Sequence, residues 1–368
     1  MHILDHIEDK KTLMALCHTS RMLRALALRV PFQVINPGYN PSRTLRVLNS
    51  LRHHELAANI SEFYVSLAPD TCWLRGIGPN QTCCCNELDH MLGEPLKGMV
   101  NLINLSIQCP ARYCARVDKN VERHLYLTKL ETHKLRSFSF LCSCSEWEDH
   151  HLERLISVPI LAKVEALQWS VLSGQHSTSL TKDYMIQNLP LPLLTAFLHH
   201  QRMPINDIIL ANRPIRRLGI TPYDMASVIR AIPSSTLNML THLVTTSDSR
   251  AYHFLQALPL RLVPHLQHIG TICISPHNPT VNLIKLFTSF NFLSHLESVN
   301  SVVSGEEDPW RSPELLSQIA SLHPNLRRIL LKYNSRCFVL SRGVETWTRR
   351  EVAEFTLWDI VRGACDHL

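Results

Sequence analysis

No stretch of the sequence approaches 18 uninterrupted apolar residues, so no membrane-spanning helix is expected. The start, MHILDHIEDKK, lacks the basic region and long apolar run of a secretory signal, which implies an intracellular address, cytoplasmic or nuclear. Charge is sparse at 18% of residues, and 37 Lys plus Arg against 31 Asp plus Glu leave a net +6 with no run of five basic residues. That pattern argues against nucleic acid as a partner, and the 21 histidines add positive charge only below neutrality.

Catalytic signatures are missing as well. There is no GxSxG elbow, no GxxxxGK[ST] loop and no HExxH helix. The pairs His53 with His54, His150 with His151 and His199 with His200 put neighbouring rings on different sides of a helix, a poor arrangement for two metal ligands. Glu306, Glu307 and Asp308 read as a solvated acidic turn. The twelve cysteines also lack paired zinc spacing. Cys83, Cys84 and Cys85 are adjacent, Cys142 and Cys144 form CxC, and only Cys109 with Cys114 come near it. They are expected as reduced thiols packed as small apolar groups. No enzyme, metal or cofactor follows from these residues.

What the sequence does contain is a recurring phrase, LxxLxL. It reads Leu102, Leu105, Ile107; Leu135, Phe138, Phe140; Val164, Leu167, Trp169; Ile215, Leu218, Ile220; and Leu326, Ile329, Leu331. Weaker copies are Ile60, Phe63, Val65, and two whose third anchor is a hydroxyl residue: Leu240, Leu243, Thr245 and Leu296, Val299, Ser301. Near 270 two registers fit, Leu266 with Ile269, or Ile269 with Ile272 and Ile274. The long step from 164 to 215 hides a degenerate copy around Leu191 and Leu194. Self-similarity at intervals of roughly 20–50 residues marks a solenoid, in which each unit buries its apolar side against its neighbours.

The last two anchors of each phrase have the two-residue period of a strand. Helical spacing appears between phrases, at Leu45, Leu48, Leu51 and Leu56; Leu152, Leu155 and Ile156; Met225, Val228, Ile229 and Ile232; Leu283, Ile284 and Phe287; and Leu315, Leu316, Ile319 and Leu322. Ser312 is placed as an N-cap with Pro313 at the first helical position. Pro159, Pro233, Pro259 and Pro324 read as stops before the next strand. The expected fold is therefore α/β, a solenoid of helix-strand units with a curved parallel sheet. Over roughly residues 45–340 the chain resembles the leucine-rich repeat family in its irregular, long-helix form.

Residues 1–30 read as two helical pieces broken near Glu8 to Lys11. Ile3, Leu4 and Ile7 precede the acidic and basic step Glu8, Asp9, Lys10, Lys11. A helix of the form LxxLCxTSRxLRxLAL follows, carrying Leu13, Leu16, Cys17, Thr19, Ser20, Arg21, Leu23, Arg24, Leu26, Ala27 and Leu28. This resembles the central and C-terminal part of an F-box, without the Leu-Pro start usual about ten residues earlier. An F-box followed by leucine-rich repeats is similar to the large set of F-box-like proteins of mushroom-forming fungi. The resemblance implies a substrate receptor of an SCF-type ubiquitin ligase, docking on the Skp adaptor held by a cullin. Leu4, Ile7, Leu13, Leu16, Cys17, Ser20 and Leu23 would then form the adaptor face. The alternative is a leucine-rich-repeat scaffold with no ubiquitin role.

The expected organisation is a truncated F-box-like segment over 1–30, repeats over 31–340 and a C-terminal capping helix over 341–368. In that last segment Trp347, Phe355, Trp358 and Ile360 would cover the final repeat. A target protein is expected on the residues that alternate with the buried anchors. These are Asn104, Ser106, Ser137, Ser139, Ala166, Gln168, Arg217, Gly219, His242, Ser298, Asn300, Arg328 and Leu330. They form a mixed, small and polar set without an aromatic cluster.

Overall fold

The computed structural model describes residues 34–36, 41–52, 57–66, 92–109, 127, 130–147, 158–173, 191–199, 209–210, 212–220, 232–245, 265–274, 279–303, 308–344 and 346–368. Among the described residues thirteen strands are hydrogen-bonded in chain order, in a mixed α/β chain whose sheet is mostly parallel. The strands are β1 (Val34–Ile35), β2 (Glu62–Ser66), β3 (Asn104–Cys109), β4 (Ser137–Trp147), β5 (Ala166–Ser173), β6 (Ala196–His199) and β7 (Arg217–Ile220). They continue with β8 (His242–Thr245), β9 (His268–Ile274), β10 (Ser298–Val303), β11 (Arg328–Tyr333), β12 (Arg336–Arg342) and β13 (Trp347–Val352). By contacts the chain divides into two units, Met1–Glu165 with Trp169–Leu193, and Ala166–Gln168 with Leu194–Leu368.

In the first unit β1 to β4 pair in parallel, with Phe63, Leu105 and Phe138 in one register row and Val65, Ile107 and Phe140 in the next. All six side chains are buried, as are the leading anchors Ile60, Leu102 and Leu135. Phe140 meets Phe138 at 6.1 Å and Trp169 at 5.8 Å between ring centroids. Burying a large apolar side chain stabilises by roughly 1.5–3 kcal/mol, so each phrase outweighs any single polar contact between strands. The helix α1 (Pro41–Leu51) buries Leu48 and Leu51.

In the second unit β6 to β11 are parallel wherever their pairing is described. Leu194 and Phe197, fully buried, anchor β6 as the copy hidden in the long step. The strand entries repeat one device. The N–H groups of Arg216 and Arg217 both donate to the Thr195 carbonyl, those of Thr241 and His242 to Arg216, and those of Gln267 and His268 to Thr241. Glu297 and Ser298 do the same to Gln267, as Ile103 and Asn104 do to Ser61 in the first unit. Each strand start is thereby fixed on the one before.

The ambiguity near 270 has a physical cause. Ile269 pairs with Val299, but Ser301 pairs with Ile272, so β9 carries one extra residue opposite β10 and both registers are in use. The hydroxyl anchors flank that bulge. Thr245 Oγ1 accepts from the Thr271 N–H at 3.2 Å, and Ser301 Oγ donates to the Ile272 carbonyl at 3.0 Å. Leucine at either position would remove these bonds to the β9 backbone.

Helix α2 (Ser234–Leu237) follows Pro233, α3 (Pro279–Ser289) buries Leu283, Leu286 and Phe287, and α4 (Pro313–Leu322) buries Leu315, Leu316 and Ile319. Ser312 caps α4 by accepting from the Leu315 N–H at 3.1 Å, with Pro313 in the first turn. Two of the prolines read as stops each begin a helical turn, and the residues before them, 151–157 and 221–231, lie outside the described residues. Pro159 opens a 3-10 turn (Pro159–Lys163) and Pro233 is the N-cap of α2, because a ring without an N–H fits where no intrahelical partner exists. Pro324 does follow α4. Leu56, Leu152, Leu155, Ile156, Met225, Val228, Ile229 and Pro259 lie outside the described residues.

The C-terminal stretch differs from the helix expected over 341–368. Asn334 and Ser335 take φ of 46° and 62° between the paired Tyr333 and Arg336, a two-residue turn that returns the chain antiparallel as β12. β13 then pairs antiparallel with β12, its side chains alternating between half-buried and exposed from Trp347 to Arg350. Among the described residues of this stretch only α5 (Leu357–Val361) is helical.

Candidate functional site on the outer face of the second unit

Residues that alternate with the buried anchors define the outer face of each strand. Parallel pairing places them in two rows in the second unit. The first runs Ala196, Arg217, His242, His268, Ser298, Arg328 and Ser341. The second runs Leu198, Gly219 and Val244 across β6 to β8, and Asn300, Leu330 and Val339 across β10 to β12.

This face is covered by the chain's own C-terminal segment. Trp358, Ile360, Val361 and Cys365 form one buried cluster with Ala166, Ala196, Leu198, Val244, Leu330 and Val339. Local chemistry shapes that segment. Thr356 and Asp359 form a capping box at the start of α5. At its end the Gly363 N–H donates to Ile360 and the Ala364 N–H to Asp359, with Gly363 at φ 84°, a Schellman turn. The turn delivers Cys365 and Asp366 to the first row. Arg217 grips the Asp366 carboxylate through both terminal nitrogens and donates to the Ile360 carbonyl at 3.2 Å. Arg328 donates to the carbonyls of Cys365 at 2.8 Å and Asp366 at 2.7 Å. Charge-assisted bonds of this kind are the stronger class.

Between the arginines lies a directed chain of hydrogen bonds. Asn300 donates through Nδ2 to Thr271 Oγ1 at 2.8 Å, and that hydroxyl donates to the Thr245 carbonyl. Asn300 Oδ1 is therefore the acceptor facing His268 Nε2 at 3.2 Å, which assigns the ring proton to Nε2. His268 Nδ1 then accepts from Ser298 Oγ at 2.6 Å. His242 stacks on His268 with centroids 5.4 Å apart and planes 13° apart. Burial, with the charges of Arg217 and Arg328, lowers His242 to about 3. Burial and the neighbouring His242 hold His268 well below the ordinary histidine value, against the opposing Asn300 bond. Both rings are neutral at physiological pH, so the row carries the positive charge of its two arginines alone.

The residues expected to hold a target are thus placed as follows. Arg217, His242, Ser298, Asn300 and Arg328 come together, the arginines engaged by the C-terminal segment, Ser298 and Asn300 by His268, and His242 by Thr241 and the His268 ring. In the first unit Asn104 and Ser106 are half-buried, while Ser137 and Ser139 are buried and lie in register with them. Gln168 on β5 is buried. The adaptor-face residues Leu4, Ile7, Leu13, Leu16, Cys17, Ser20 and Leu23 lie outside the described residues. Sequence reasoning passed over His268, Thr271, Cys365 and Asp366. The signal that announces a cover was present in Leu198, Val244, Leu330 and Val339, apolar residues at outer positions.

Elsewhere in the second unit Asp308, read from sequence as part of a solvated turn, has a side chain only 2% exposed. It pairs with Arg349 and accepts from the Trp310 N–H at 3.1 Å, while Arg349 lies 4.0 Å from the Phe338 ring centroid. Among the described residues no three of His, Cys, Asp and Glu gather as metal ligands, and no helix is long and apolar enough to cross a membrane. No protein-family model matches the sequence, and no curated protein is significantly similar to it.

Proposed function

We propose that the chain is a leucine-rich-repeat substrate receptor of an SCF-type ubiquitin ligase. One observation carries the scaffold half of this reading. Anchors of the recurring phrase are buried in successive strands paired in chain order, as expected where each unit buries its apolar side against its neighbours. The ligase half rests on the resemblance of residues 1–30 to an F-box. On this reading those residues dock on the Skp adaptor, which a cullin holds, and the repeats hold a target protein. The chain performs no chemistry. It raises the local concentration of target lysines at a catalytic centre on another subunit, the gain that tethering provides.

The reading is tested by affinity purification of the tagged full-length chain from its own cells. It predicts recovery of the Skp adaptor and a cullin in near-stoichiometric amounts. Recovery of neither would remove the ligase role and leave an interaction scaffold.

A further inference from the structure

We propose that the outer face of the second unit is a groove for a short helical peptide followed by an acidic residue, and that residues 356–368 fill it as a built-in stand-in for a segment of the target. The proposal rests on the receptor reading for the identity of the partner, but the groove itself stands on geometry.

The seat is specialised for a helix. A Cβ at Gly219 would lie 2.3 Å from Leu198 Cδ1 and 2.9 Å from Val361 Cγ2, so glycine opens the space into which Val361 sinks. Leu198, Val244 and Leu330 supply apolar walls at outer strand positions. Arg217 and Arg328, in one register row across β7 to β11, supply the charge. The occupant is self-contained, since the capping box and the Schellman turn satisfy both helix ends from within residues 356–364. Its polar grip lies near solvent, with Asp366 47% exposed. Ala353, Glu354 and Thr356, leading into it, are exposed. A matching target segment presents apolar side chains in the spacing of Trp358, Ile360 and Val361, and a carboxylate in the place of Asp366.

Tethering gives the stand-in an effective concentration near the millimolar range, so a free peptide competes poorly with it. The experiment therefore uses a fluorescent peptide of residues 356–368 and two full-length proteins, the wild type and the variant Ile360→Asp/Val361→Asp, whose own segment is disabled. The peptide is expected to bind the variant about 100-fold more tightly than the wild type. An Asp366→Arg peptide is expected to lose about tenfold, and adding Arg217→Asp to the protein is expected to restore it. Absence of binding to a variant that keeps the wild-type circular dichroism, or binding indifferent to the charge swap, would overturn the proposal.

If that variant unfolds, hydrogen exchange of the wild type decides. Amides of Arg362 and Ala364 exchanging through a local opening, ahead of those of Arg217 and His242, support an exchangeable segment. Exchange of all four only with global unfolding would show a permanent part of the core. No adaptor takes part in these measurements. Loss of adaptor capture with peptide exchange intact would refute the ligase reading and leave the groove.

Discussion

A methyl group added at Gly270 would lie 1.5 Å from Asn300 Oδ1, the oxygen that receives the His268 proton. Glycine there leaves room for the amide that links β9 to β10. Gly270→Ala is expected to break the chain from Ser298 to Thr245 and to lower stability by about 2 kcal/mol or more, since buried polar groups lose their partners. Urea denaturation measures it. The stacked histidines make a second prediction with a definite sign. His242 is held neutral down to about 3 in the folded state, whereas in the unfolded chain it protonates near 6.5. Below that value the unfolded state binds the extra proton, so stability is full above pH 6.5 and falls as pH drops toward 3. The slope is about 1.4 kcal/mol per pH unit for each histidine so held. His242→Gln is expected to flatten the decline in denaturation midpoints between pH 6.5 and 4, and an unchanged slope would show that His242 is not held neutral by the fold.

Two turns shape the C-terminal elements, and each invites a test. Ser335 takes φ 62° in the turn from β11 to β12, a backbone that glycine adopts without steric cost. Ser335→Gly is expected to raise the melting temperature, by about 0.5–1 kcal/mol of stability. Gly363 ends α5 at φ 84°, with Arg217 Nη1 3.1 Å from where a Cβ would sit. Gly363→Ala is expected to cost about 1 kcal/mol and to speed amide exchange across residues 360–364 while that of β10 and β11 is unchanged. How far these elements were legible follows from their chemistry. The phrase marks strands in sequence because burying three anchors dominates each of them, and Ser312 with Pro313 marks the start of α4 because capping is local. β12 and β13 escaped because Asn334–Ser335 is a weak turn signal and Trp347–Val352 carries four polar residues in succession, while of the helix expected over 341–368 the part seen is α5. The register of β9 was open because a bulge satisfies both spacings. The occupied outer face escaped for another reason: its cover arrives from distant residues, 149 positions away for Asp366 on Arg217 and 37 for Cys365 on Arg328, contacts that no local pattern encodes.

At the scale of the whole molecule the proposed receptor must both hold a target and reach an adaptor. In the second unit the outer face at β6 to β8 is filled by the C-terminal segment, and a receptor of the proposed kind must release that segment or use surface elsewhere. Residues 1–30, which the proposal assigns to the adaptor, lie outside the described residues. The measurement that tests this most directly compares adaptor binding and thermal unfolding of the wild type with those of Leu16→Asp/Leu23→Asp. The account predicts that the wild type holds the Skp adaptor, and that the variant loses it while melting at the wild-type temperature. A wild type that binds no adaptor, or a variant whose repeats unfold with the loss, would contradict it.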